Sequence, residues 1–366
     1  MTTPRDPLAG DMPDGELLDR RAVLRAALRA GAGAALGLGL PAALAGCGGG
    51  DKLNAHSKAV ARRSIAIDYA SYYAPIDDLR RLVLARARGV GAAVTFSDDA
   101  AGARAQLASL RTLTGARGGF RVVVIAAFDA GSVEPIAAAA LRDGIEIVTY
   151  VTPLQHRTAA IDVDPARTGA LLATHAARWA RARLGGRGTV LLVVPPAGVI
   201  VPDPFVAGAA RSEPAIRSTL AARAPGLRIA TTAGAYGTPD ARQAVAQALG
   251  AHPGARIVLC WNDATAVGAA QALRDGHPAG ERARLYAGGQ GAPAIAARAT
   301  LERLHGDDVL RCLVAPRLRD LANALVDVPR SLLRGEPARD IAPPIAVLTA
   351  GSSAVRAYER DYAPVG

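Results

Sequence analysis

From residue 64 onward, short apolar runs alternate with helix-length amphipathic segments, and this alternation occurs twice over. No other feature of the sequence narrows the possible folds so far. Residues 64–70, 92–96, 121–127 and 145–149 read as strands, rich in Val and Ile, and the segments 77–88, 103–112 and 133–142 between them have helical periodicity. A second run follows. Helical segments at 167–184, 215–223, 240–249 and 264–274 are interleaved with strands at 189–194, 227–231, 257–260 and 284–287. Strands separated by helices of this length form parallel sheets covered on both faces, because each crossover helix must pack back onto its sheet. Two such runs predict two α/β lobes, doubly wound, and in sheets of this kind ligands sit beyond the carboxyl ends of the strands.

The first 46 residues are excluded from this fold. Leu44-Ala45-Gly46-Cys47 closes an apolar stretch from residue 30 and looks like a bacterial lipobox, a signal cleaved before a cysteine that then carries lipid. The stretch is rich in Gly and Ala and broken by Pro41, and at about 17 residues it is short of the ~20 strongly apolar residues a spanning helix needs. Arg20-Arg21, with Val23 and Leu24 following and a basic Arg25 after them, resembles a twin-arginine export motif. Segment 1–46 is therefore expected to be a signal peptide, with membrane attachment through lipid at Cys47 and a small, polar, flexible tether over 47–60.

The remaining residues, roughly 320, are comfortable for two cores. Half of the chain is apolar and only 4% is aromatic. The net charge of +11 raises the possibility of a nucleic-acid partner, but the arginines fall singly along Ala-rich helices and Lys52 and Lys58 are the only lysines. That pattern reads as compositional bias rather than as a phosphate-binding stripe, so no nucleic-acid partner is expected, although a basic body near an anionic leaflet gains nonspecific attraction. With Cys47 assigned to lipid, Cys260 and Cys312 remain, both in apolar runs where a buried thiol is the ordinary state. The sequence leaves their pairing open.

A group of motifs gives a family resemblance. Trp261-Asn262-Asp263-Ala264, Tyr236-Gly237-Thr238-Pro239-Asp240, Ala251-His252-Pro253, Ala287-Gly288-Gly289-Gln290-Gly291 and Leu333-Arg334-Gly335-Glu336 occur in order. Together they resemble the periplasmic sugar-binding proteins of the ribose-binding type, over nearly all of 64–349. The resemblance implies the type 1 periplasmic binding protein fold, two similar parallel-sheet lobes joined by a three-crossing hinge and closing on a ligand. It places residues 61–162 plus 315–343 in one lobe and 163–314 plus 344–366 in the other.

The same resemblance nominates ligand contacts. Asn262 matches a ligand-binding asparagine, whose amide offers both donor and acceptor; the bland reading is that Asn262 turns the chain while Asp263 caps the next helix. Trp261 and Asp263 flank it. Tyr72 and Tyr73 follow the first strand, where tyrosine can stack on a sugar ring or pack at the hinge, and Asp77 lies in the same loop. Arg211 stands one residue from the position of a ligand-binding arginine, with Asp203 and Phe205 in the loop before it. Two departures stand out. An Asp-Arg pair of the family is replaced by Val151-Thr152-Pro153, leaving Thr152 as a polar candidate, and an aspartate by Gln290. Losing charge-assisted bidentate contacts argues against a simple pentose or hexose.

Catalysis is not expected. The six histidines show no metal-ligand spacing, and no nucleophile elbow, phosphate loop or dinucleotide fingerprint follows a strand. No metal or cofactor is called for. The expected function is that of a monomeric, lipid-anchored solute-binding protein that presents a sugar or sugar-like molecule to ABC permease subunits at the cell envelope. The alternative is a tethered sensor that shows the same ligand to a receptor. On this reading Asn262→Ala weakens binding and leaves the unliganded body's melting temperature nearly unchanged.

Overall fold

A computed structural model describes residues 64–69, 76–98, 102–115, 118–196, 204–291, 298–306 and 308–362. In the first lobe, strands β1 (Ser64–Tyr69), β2 (Ala93–Asp98), β3 (Val122–Ala126), β4 (Glu146–Tyr150) and β5 (Ala159–Ile161) form a sheet in the order β2-β1-β3-β4-β5. Every pairing in it is parallel. Helices α1 (Ile76–Gly89), α2 (Ala103–Thr114) and α3 (Ala130–Arg142) are its crossovers. Because a parallel sheet is covered on both faces, its central strand needs an unbroken apolar run. Strand β3, Val-Val-Val-Ile-Ala, is accordingly buried at all five positions. Asp129 caps α3, accepting hydrogen bonds from the backbone of Gly131 and Ser132 and from the Ser132 hydroxyl. The Ser132 hydroxyl holds the Asp129 carboxyl below its ordinary range.

The second sheet has six strands, in the order β7-β6-β8-β9-β10-β11: β6 (Arg187–Val193), β7 (Gly226–Thr231), β8 (Ala255–Cys260), β9 (Tyr286–Gln290), β10 (Leu310–Pro316) and β11 (Ile345–Leu348). All pairings are parallel except β10 with β11. Its helices are α4 (Pro165–Leu184), α5 (Pro204–Arg223), α6 (Thr238–Ala251), α7 (Asp263–Gly276) and α8 (Arg298–Gly306). Asp164 caps α4 by accepting from the Arg167 N–H, and Pro165 takes the first helical position, where its missing N–H costs nothing. Cys260 lies opposite Gly289 and Cys312 opposite Gly288 on the intervening strand. Neighbouring residues of a strand point to opposite faces, so the two thiols lie on opposite sides of the sheet. Both are free and buried. Burial pushes the Cys312 thiol up to about 12 and Cys260 higher still.

Three passages join the lobes. The first runs from β5 into α4 through 162–164. At the second, β10 leaves the second sheet and α9 (Leu318–Leu333) packs against α1 and β3 of the first. Its buried Leu318, Leu321, Ala322, Leu325 and Leu332 recur at helical spacing and form the stripe that docks. The chain then runs beside β5, where Ile341 makes a parallel bridge with Ile161, and crosses back through 342–344 into β11. The last helix, α10 (Ser353–Tyr362), packs on α8 and β11. Its buried Asp361 accepts from Arg319 Nε at 2.8 Å and the Arg319 N–H at 3.2 Å, and Arg81 Nη2 reaches its carbonyl at 2.7 Å. The C-terminal helix is thereby tied to α9 and α1.

Among the described residues, no helix is long and apolar enough to cross a membrane. Several elements exceed the expected bounds. Helix α5 starts at Pro204, eleven residues before the periodicity suggests, and carries Pro214 inside it; β9 continues through two glycines to Gln290.

Candidate ligand-binding cleft

The carboxyl ends of β4, β8 and β9 converge with the first hinge passage on a cleft that is partly open to solvent. Val151 contributes from the first lobe, Val163 from the hinge passage, Pro165 from the start of α4, and Gly208 and Ala209 from α5; Trp261, Asn262, Gln290 and Gly291 come from the strand ends. Thr168 of α4 completes the lining, with its hydroxyl donated to the Asp164 carbonyl at 2.8 Å. None of these lining side chains is charged. The wall is apolar with a few fixed amides, a composition suited to a small ligand held by shape and a few hydrogen bonds.

Asn262 is the N-cap of α7. Its Oδ1 accepts from the Thr265 N–H at 2.7 Å and the Thr265 hydroxyl at 2.8 Å, and its Nδ2 donates to the Tyr236 carbonyl at 3.1 Å. It therefore fills the capping role that sequence reading gave to Asp263, while one amide N–H stays uncommitted beside the cleft. Truncating it removes a helix cap, so the unliganded body cannot keep its stability unchanged. Asp263 is fully buried, as the first residue of α7; its Oδ1 accepts from the Ala264 N–H at 2.9 Å and its Oδ2 has no partner. Burial raises its carboxyl well above the ordinary range. It lies behind the wall and does not line the cleft.

Gln290 is 6% exposed, and its Nε2 donates to Ser212 Oγ at 2.5 Å. Its Oε1 is buried without a partner, in a residue that lines the cleft. Close packing dictates the two glycines before it. A Cβ at Gly289 would lie 2.6 Å from the Asn262 carbonyl oxygen and 2.8 Å from Ala266 Cβ, and one at Gly288 would lie 2.8 Å from the Tyr286 ring. Trp261 is nearly buried, its indole N–H bonded to the Ala235 carbonyl at 2.8 Å and its ring 5.7 Å from that of Tyr236.

Val151 occupies the left-handed region at φ 62°, the only described residue other than glycine with positive φ. A β-branched side chain held there costs about 1–3 kcal/mol, and such strain concentrates at ligand sites. The Val151 N–H bonds to the Ile161 carbonyl at 3.3 Å and the Thr152 N–H to the Tyr150 carbonyl at 2.7 Å, which holds the turn. The Thr152 hydroxyl is spent on the Ala127 carbonyl at 2.9 Å, and Thr152 lines a neighbouring cavity rather than the cleft. Arg211 is also off the wall. It is exposed on α5 with Nη2 3.9 Å from Asp162 Oδ1, and the next residue, Ser212, is the one that turns inward to meet Gln290. Tyr72, Tyr73 and Asp203 lie outside the described residues, as do Arg20, Arg21 and Cys47. Asp77 and Phe205 fall within α1 and α5, with their side chains outside the description.

A profile of the family described as periplasmic binding protein domain matches residues 76–337. The chain belongs to the periplasmic binding protein family. Members of this family are binding proteins rather than catalysts, and the two-lobed parallel-sheet architecture agrees with solved structures. One is an ABC transporter solute-binding protein from Bacillus halodurans with bound myo-inositol, 17% identical, with a TM-score of 0.67 over 82% of this chain and 99% of that one. Another is an ABC transporter solute-binding protein from Mycobacterium smegmatis with bound glycerol, 19% identical, with a TM-score of 0.65 over 81% and 96%. A third is the fructose-binding periplasmic domain of a hybrid two-component system, 18% identical, with a TM-score of 0.65 over 81% and 93%. At these identities the likeness is one of fold. A search of the curated proteins finds no match to this sequence.

Proposed function

We propose that this periplasmic binding protein is the lipid-anchored solute-binding component of an ABC importer, exported and held at the cell envelope through Cys47. Its ligand on this reading is an uncharged, hydroxyl-bearing small molecule of the sugar or polyol class. The unpartnered acceptor Gln290 Oε1 and the spare N–H of Asn262, both on residues that line the cleft, carry this reading. A buried acceptor without a partner costs about 1–3 kcal/mol, and a ligand hydroxyl that donates to it recovers that cost on binding. Among the described residues the lining is uncharged, which supports an uncharged ligand, because desolvating an ion without a counter-charge is far more expensive. Val151 on the first lobe and the amides on the second share the cleft, so both lobes contact a ligand only when they close. The shift toward closure equals the differential affinity of the ligand for the two states.

The solved fructose-binding domain of a two-component system has the same fold, so a sensor role is compatible with this body; loss of uptake on deleting the chain favours the importer. A thermal-shift screen with sugars, polyols, sugar phosphates and uronic acids tests the ligand class. A neutral ligand at 100 times its dissociation constant adds about 2.7 kcal/mol. Stabilisation by sugar phosphates or uronic acids alone overturns the assignment. Cys47→Ala is expected to release the protein from membranes or block its maturation.

A further inference from the structure

The arginines that the sequence scatters are gathered by the fold at one end of the second lobe. Between residues 165 and 260 there are eleven arginines and three carboxylates, most of the chain's excess of +11. Six of them, Arg178, Arg181, Arg183, Arg187, Arg223 and Arg228, are exposed on the last turns of α4 and α5 and the first residues of β6 and β7, at the opposite strand ends from the cleft. Arg181, Arg187, Arg223 and Arg228 adjoin one another. Arg181 Nη1 bonds to the Arg223 carbonyl at 3.0 Å, and its Cγ lies 3.4 Å from where a Cβ on Gly186 would stand. The stem of Arg187 passes 3.1 Å from the Cβ position of Gly226, its register partner, and Arg228 follows two residues later on the same face. No acidic residue occurs in 178–193 or 218–231. Among the described residues, none of the six pairs with a carboxylate.

Helix ends explain only part of this. The carboxyl ends of α4 and α5 each carry about half a negative charge, roughly one charge in total against six cations. We propose that this patch is a docking surface for an anionic phospholipid bilayer, which orients the body on the membrane that bears its lipid. The inference rests on the reading of the chain as exported and membrane-tethered. The tether favours that occupant over a soluble polyanion, because attachment at Cys47 keeps the patch at high effective concentration near lipid headgroups, and each arginine near such a surface strengthens association about fivefold.

The test uses the chain from residue 47 onward with Cys47→Ser, which keeps every described element and carries no lipid. It is sedimented with vesicles of phosphatidylcholine alone and of phosphatidylcholine mixed with phosphatidylglycerol, at low and at high salt. Binding is expected to the anionic vesicles only, and to vanish at high salt. Arg181→Gln/Arg187→Gln/Arg228→Gln is expected to weaken it by about a hundredfold, whereas Arg104→Gln/Arg111→Gln/Arg142→Gln, which removes as much exposed charge from the first lobe, is expected to change it several-fold at most. Equal weakening by the two triple variants, absence of binding at low salt, or binding to a soluble nucleic acid in preference to vesicles overturns the proposal. Failure of the lipid-anchor reading would show separately, in the fractionation of Cys47→Ala.

Discussion

Asn262→Ala tests the most consequential geometry on the cleft wall. The substitution removes the acceptor of the Thr265 N–H and hydroxyl and the donor to the Tyr236 carbonyl, all from a residue 3% exposed. Loss of an asparagine N-cap costs about 1–2 kcal/mol, and loss of the Tyr236 bond about 0.5–1.5 kcal/mol. For a body of this size each kcal/mol lowers the melting temperature by roughly 2–4 °C, so the unliganded variant is expected to melt about 3–14 °C below wild type. Asn262→Ser separates the two parts, because serine keeps the cap acceptor but is too short to hold the Tyr236 carbonyl. It is expected to recover about half of the loss. Calorimetric unfolding of the three proteins, without ligand, is the assay. An Asn262→Ala protein that melts with wild type, or a serine variant as unstable as the alanine one, would refute the capping geometry.

Gly289→Ala drives a methyl group into the Asn262 carbonyl and Ala266; overpacking of this kind costs about 1–3 kcal/mol and is expected to lower both the urea midpoint and ligand affinity. Burial, then the Arg178 charge, lowers the pKa of His175, whose Nδ1 sits 2.9 Å from the Tyr286 hydroxyl. The unfolded chain therefore takes up the proton first as pH falls through about 6.5, and native stability declines from there until the folded form also protonates. Stability curves against pH are expected to be flatter for His175→Gln, and an unchanged slope counts against the assignment. Cys260 and Cys312 are expected to resist both oxidative pairing and thiol reagents until the chain unfolds; a disulfide formed under native conditions contradicts their placement on opposite faces of the sheet.

The two-lobed fold was legible because its strands are apolar enough to be buried on both faces, as in Val122–Ala126, and its helices long enough to show period. What escaped the sequence had local causes. Strand β5 is three residues long, β11 is a short antiparallel addition at a sheet edge, and Pro214 masked the early start of α5. At the candidate cleft, Asn262, Trp261 and Gln290 were nominated by motif and position, and all three are among its lining residues. Their partners were less so. Ser212 was one residue from a nominated arginine, and the spacing Gly208, Ser212, Ile216 was the signal that this face, not that of Arg211, points inward. The strain at Val151 and the clustering of arginines depend on tertiary register, which no local pattern records.

The chain has two tryptophans, and they sit where a single titration can decide between places. Trp261 lines the cleft, whereas Trp179 lies on α4 with its ring 5.2 Å from that of Tyr286, away from the cleft lining. The most direct measurement is fluorescence of the Trp179→Phe and Trp261→Phe variants titrated with a neutral sugar or polyol that stabilises the wild type. The cleft assignment predicts a saturating change in emission from Trp261 in the first variant and a flat response from Trp179 in the second. Saturable binding that Trp179 reports while Trp261 stays silent would place the ligand elsewhere and contradict it.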